Sequence, residues 1–263
     1  MRLVDLDRNT VTERQIRETD DYTVMCQRND PDRVLTACIL FLRGDFESLN
    51  DAIVQAELQR EVAHTAEQRL VDRAMMRWVP SGPVGESPTN NSFVNLITGE
   101  GEVNFSNRSA EMNCWEAVIV AAILNGDIVN TDTLRHLYTN VEPRNFTPTL
   151  VHHLAMERHV YNGAGPLLSR PVRGDVVMFS GLDHVVLATG RRVEAPAARE
   201  GHPEQSGGRQ VISFWPAPFI KNFGPGTAAT VSLTTVEGIH QWIREDGGNA
   251  DVTFGCPNWR ALR

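Results

Sequence analysis

An α+β fold is predicted by three features of the sequence: helical periodicity in the first third, a short apolar helix pattern near residue 114, and three β-rich apolar runs after Pro171. Helices followed by an antiparallel succession of strands, instead of a regular strand–helix alternation, is the pattern of that class. Pro31 to Gly44 predicts a short buried helix, because Pro-Asp suits a helix start, Val34 to Leu42 is apolar, and Gly44 suits a stop. From Ser48 to Trp78, Leu49, Ile53, Val54, Leu58, Val62, Leu70, Val71, Ala74, Met75 and Trp78 recur at spacings of three, four and seven. That predicts one long amphipathic helix with at most one break, packed on the rest of the chain.

Proline, glycine and small polar residues from Pro80 to Asn91 exclude regular structure and mark a boundary. The expected organisation is a helical region 1–79, a linker or covering segment 80–106, and an α+β domain 107–263. Phe93 to Phe105 fits either short strands or a covering loop. Asn113 to Asn125 predicts a helix closed by Gly126, and Thr131 to Tyr138 another. Strands are expected over Asp175 to Phe179, His184 to Thr189 and Gln210 to Trp215, with a long loop from Arg191 to Gly208 that could gate a site. Val231 to Ile243 reads as a strand followed by a short helix, opened by the capping-box-like Thr234-Thr235-Val236-Glu237.

Composition excludes several function classes. In 263 residues, 41% apolar and 22% charged, no apolar run reaches the roughly 18 residues of a membrane span. A soluble globular chain is expected. The first eight residues alternate charge with apolar groups, so export by a conventional signal peptide is not expected. A formal charge of −8, with no basic cluster interleaved with aromatics, argues against nucleic acid as a partner. Cys26, Cys38, Cys114 and Cys256 lack the paired spacings of a zinc or redox motif and are expected as free thiols. His152, His153 and His159 do not make a metal site, because adjacent histidines point apart on a helix or a strand. No metal or other cofactor is expected.

The chemistry is carried by two stretches. In Asn107 to Ala122, a polar segment runs into an apolar helix whose first turn holds Cys114. Unpaired backbone N–H groups and the positive end of the helix dipole favour a thiolate there, and the same donors can face an oxyanion. In Arg173 to Gly190, two apolar strands join through a tight connection and His184 opens the second. Histidine is the usual base for a thiol, normally fixed by a third polar group. Ser213 is the candidate orienter, with Asp183 and Glu194 as fallbacks, while Asp175 reads as a strand-start residue. Trp115 is expected beside the site, and Asn113 either donates an amide or caps the helix.

The helix-start cysteine followed by Gly174-Asp-Val-Val-Met-Phe179 and His184-Val-Val-Leu-Ala-Thr-Gly190 resembles the bacterial NlpC and CHAP cysteine peptidases, which share the papain-like fold. The likeness spans about Asn107 to Trp215. It implies a Cys114–His184 pair completed by a polar residue on the Val211 to Trp215 strand. Ser213 departs from the His, Asn, Asp, Glu or Gln usual at that position. The implied activity is hydrolysis of a peptide or amide bond through an acyl-enzyme, on a peptide, a protein or peptidoglycan. An amine acceptor would give a transglutaminase-like acyltransferase, and loss of activity an inert papain-like binding module. Toxin-type members also pair a helical amino-terminal part with the absence of a signal peptide. That likeness implies an effector delivered from the producer's cytoplasm into another cell and held in check by an immunity protein.

Overall fold

The computed structural model describes residues 1–79, 91–99, 103, 110–126, 131–195, 206–214, 228–245, 247–248 and 251–262. In chain order the helices α1 (Glu13–Arg17), α2 (Asp20–Cys26), α3 (Pro31–Arg43) and α4 (Leu49–Arg69) lead to strand β1 (Met75–Trp78). Helix α5 (Ser92–Thr98), strand β2 (Ala110–Met112) and helices α6 (Cys114–Ile123), α7 (Thr131–Asn140) and α8 (Pro143–Leu154) follow. The remainder is β3 (His159–Val160), β4 (Val176–Phe179), β5 (His184–Val193), β6 (Gly208–Phe214), β7 (Ala228–Thr235), α9 (Val236–Glu245) and β8 (Val252–Gly255). The α+β class stands. Among the described residues no helix is long and apolar enough to cross a membrane.

Local chemistry explains the helix ends. Asp30 caps α3 by accepting the N–H groups of Asp32 and Arg33 at 3.1 Å each, Pro31 takes the first turn where its missing N–H costs nothing, and Gly44 closes the helix in the left-handed region. Ser48 accepts the Asp51 N–H at 3.1 Å and starts α4. Helix α4 ends at Arg69, which corrects the expected helix reaching Trp78. The chain turns through Asp72, itself left-handed at φ 57°, and Met75–Trp78 pairs parallel with β2 and antiparallel with β7. The segment from Phe93 opens with a helix, α5, capped by Asn91, where strands or a loop were expected.

The strands form one sheet in the order β2-β1-β7-β6-β5-β4-β8-β3, antiparallel except between β1 and β2. Strand alternation divides its side chains between two layers. Helices α4 and α6 cover one face, where Val176, Met178, Val185, Leu187, Ile212 and Phe214 meet Val62, Ala66, Cys114 and Val118. On the other face Val177, Phe179, Val186, Ala188 and Val211 pack with Val236 and Ile239 of α9. Residues 1–79 are therefore not a unit apart from 107–263, since α4 shares its core with α6 and β1 is a strand of the same sheet. A further cluster joins α1 to α4 with Cys256 and Val172.

The Gly174-Asp175 dipeptide fastens these layers together. Gly174 sits at φ +83°, and a Cβ there would lie 2.5 Å from the Gln59 backbone oxygen, so only glycine lets α4 approach this closely. Asp175 is fully buried and accepts from Arg43 at 2.7 Å, Gln59 Nε2 at 2.9 Å and the Val172 N–H at 2.8 Å. Arg43 also donates to Asp45 at 2.8 Å, and Asp45 lies 2.6 Å from His159 Nε2. Asp175 is thus a structural anchor at a strand start.

Candidate active site

The site is built where the tip of α6 meets the beginning of β5. Asn113 is the N-cap: its Oδ1 accepts the Glu116 N–H at 3.0 Å, and the Glu116 carboxylate accepts the Asn113 N–H at 2.9 Å. This capping box fixes Cys114 at the first helical position. Of the two roles open for Asn113, its oxygen performs the capping one. Helix α6 then runs apolar from Ala117 to Ala122, which seats it on the sheet.

The thiol of Cys114 is turned toward the backbone N–H groups of Val185, Trp115 and Cys114 itself, all of which favour its ionisation. Two of those donors belong to the helix tip and the third to the residue following His184. Burial outweighs them. Cys114 is 2% exposed, and burial pushes the thiol up to about 12, with the Glu116 carboxylate adding a smaller push in the same direction. The expected helix-end thiolate is therefore a neutral thiol in this structure, because the helix-end donors compensate only part of the lost hydration. On the core side the sulfur adjoins a gap of about 10 Å³ among Leu70, Leu187, Ile212 and Phe214, roughly room for one water molecule.

His184 opens β5 opposite Phe179, the ring centroids 5.8 Å apart. With Phe179 and Val186 it lies on the α9 face of the sheet, whereas Cys114 packs with Val185 and Leu187 on the other, so the structure does not bring the thiol and the ring together. Its Nε2 lies 3.0 Å from Ser213 Oγ, the pairing expected from the sequence. Both residues are buried, and burial holds the imidazole well below its usual range. Ser213 reaches the ring because it sits diagonally across the β5–β6 pair, on a strand whose register is set by Leu187↔Ile212 and Ala188↔Val211. The fallback orienters Asp183 and Glu194 are both exposed. Trp215 and most of the Arg191 to Gly208 loop lie outside the described residues, although β5 extends to Val193 and β6 begins at Gly208.

A polar network behind the helix tip was missed by sequence reasoning. Glu116 is fully buried and also accepts from Asn91 Nδ2 at 2.6 Å and from the Tyr138 hydroxyl at 3.2 Å, while Trp115 Nε1 donates to Tyr138 at 3.2 Å. Because Asn91 caps α5, one carboxylate ties the starts of two helices to α7. The spacing of Asn113 and Glu116 offered a signal, as a capping box of the Asn type. Trp115 packs here, half-buried beside the site, as expected.

Among the described residues no group of three or more His, Cys, Asp or Glu side chains could hold a metal ion. His152 and His153 have ring centroids 6.3 Å apart on α8, and His159 is engaged with Asp45. The four cysteines are free thiols, three of them buried. Comparison with protein-family models, curated proteins and solved structures gives no match to this chain.

Proposed function

We propose that the chain is a papain-like thiol hydrolase that cleaves a peptide or amide bond through an acyl-enzyme, with Cys114 as nucleophile, His184 as base and Ser213 as the orienter of the ring. The observations that support this reading are that the thiol at the helix tip faces the Val185 N–H, next to His184 in the chain, and that the imidazole meets Ser213 at 3.0 Å. The thiol and the ring pack on opposite faces of the sheet, so the reading requires the start of β5 to turn His184 toward Cys114. In that rearranged state the proton leaving sulfur passes to Nδ1, while Nε2 keeps its proton on the serine oxygen. Sulfur then adds to the carbonyl carbon, and the oxyanion takes hydrogen bonds from backbone N–H groups at the helix tip. The imidazolium returns its proton to the leaving amine, and water resolves the thioester. Ser213 fixes the tautomer without adding negative charge, so it supports the imidazolium less than a carboxylate would.

Burial of the neutral thiol and imidazole on opposite faces of the sheet supports a second reading, an inert papain-like module. Iodoacetamide labelling, followed by mass spectrometry at each cysteine, separates the two. Burial sets the absolute rate at Cys114, whereas assistance by the base sets the ratio between wild type and His184→Ala. The enzyme reading expects at least roughly a tenfold slower reaction at Cys114 in His184→Ala, with Cys26 unchanged. Equal rates at Cys114 in the two proteins would favour the inert module. The toxin version of the proposal expects growth arrest on bacterial expression of the wild type and none with Cys114→Ala.

A further inference from the structure

A cavity of about 670 Å³ lies between the amino-terminal helices and the end of the β5–β6 pair remote from His184, within the size range of small-molecule sites. From His184 to Arg191 the strand spans roughly 23 Å, so this space is not the surroundings of the thiol. Its walls carry seven arginines against three carboxylates. Most of those cations are matched: Arg33 by Glu57 at 3.2 Å, Arg60 by Asp30 at 3.0 Å, and Arg173 and Arg191 by the shared Glu67. Arg17 reaches Asp32 at 3.6 Å.

Arg170 and Arg209 differ. Among the described residues neither has a carboxylate at ion-pair distance, and the Nε of each is buried with no hydrogen-bond partner. Arg170 spends one terminal nitrogen on the Gly165 carbonyl. Glu237 is occupied by the Arg209 backbone N–H at 2.8 Å and the Tyr161 hydroxyl at 2.6 Å. Burial, then the charge of Arg170, pull the Arg209 guanidinium below its usual range. Two like charges turned into one cavity with buried, unspent donors are costly unless an anion completes them.

We propose that this cavity binds a phosphorylated small molecule, its phosphate held between Arg170 and Arg209. Guanidinium forks match phosphate oxygens bidentately, and a dianion balances two cations where a single carboxylate would leave one unmatched. The site does not depend on the thiol chemistry.

Pyrophosphate is the probe, titrated calorimetrically into the full chain at constant ionic strength, with citrate and sodium chloride as comparators. Saturable one-to-one binding is expected, weaker for citrate, and weakened roughly 10- to 100-fold by Arg170→Gln or Arg209→Gln. Both variants should be about as resistant to urea as wild type in phosphate-free buffer, since each removes a half-buried charge that has no ion-pair partner among the described residues. Arg209→Lys, which keeps the charge and loses the fork, should bind at an intermediate level and serves if a glutamine variant does not fold. No saturable binding at millimolar pyrophosphate, undiminished binding by the variants, or citrate binding as tightly as pyrophosphate would overturn the assignment.

Discussion

Replacing Arg43 with Met removes the one cation that the described structure places between two carboxylates, Asp45 and Asp175, whose side chains are both 0% exposed. The methionine fills similar space but leaves two buried anions facing each other. Asp175 keeps Gln59 and the Val172 N–H, and Asp45 keeps His159, so the loss falls short of stranding two bare charges. Breaking a buried pair in this way costs about 3–5 kcal/mol, equivalent to a fall in Tm of roughly 6–20 °C for a chain of this size. Urea unfolding followed by both tryptophan fluorescence and far-ultraviolet circular dichroism measures it. Both probes should shift together in one transition, because α4 and α6 share a core. Replacing Asp45 and Asp175 by Leu in the same variant should restore part of the loss by removing the stranded anions. A loss below about 1 kcal/mol would mean that the ion cluster is not desolvated as described. Separate transitions for the two probes would mean that the helices fold apart from the sheet.

Gly174→Ala should cost at least about 2 kcal/mol, since both the positive φ and the 2.5 Å approach of Gln59 oppose a side chain; an unchanged urea midpoint would contradict the packing of α4. Glu116→Gln puts an amide donor where three donors converge, and a loss of about 2–3 kcal/mol with an altered Trp115 fluorescence is expected. Stability should also fall toward alkaline pH. Cys38 and Cys114 are raised to about 12 and Cys256 well above its usual value, so their contribution is complete below the unfolded thiol range and is lost as pH rises through it. The slope approaches about 4 kcal/mol per pH unit for three thiols, and Cys114→Ala should reduce it by about a third. On the acid side His184 is held neutral, so stability is present above the unfolded histidine pKa and declines by about 1.4 kcal/mol per unit as pH drops below it. A flat acid limb in wild type, or no flattening in His184→Gln, would contradict the burial of the ring.

The strands from Val176 to Phe214 were legible because each is a β-branched run bounded by turn residues, and their order fixed which residues begin each one. The start of α6 was equally legible from Asn113 and the apolar run after Cys114. Strand β1 was not. Its four residues continue the apolar spacing of α4, and only pairing with β2 and β7, contributed from far along the chain, makes them extended. Helix α8 was passed over because Pro148 interrupts it, although Pro143 sets its first turn. The His184–Ser213 contact followed from adjacent strands, whereas the state of the thiol did not. Sequence reveals the donors at a helix tip but not how completely neighbouring layers exclude water from it. The partners of Asp175 and Glu116 were hidden for a related reason, since Arg43 and Asn91 are 132 and 25 residues away from them.

The glycine that admits α4 against the sheet has a consequence for dissection of the molecule. Shortening the protein from its start past Arg43 would leave the anchor aspartate without its cation and strip α3 from the helix whose Gln59 presses on the β4 entrance. Those helices are therefore part of the support of the sheet and not a detachable extension of it. Any truncation meant to isolate the sheet has to keep α3 and α4.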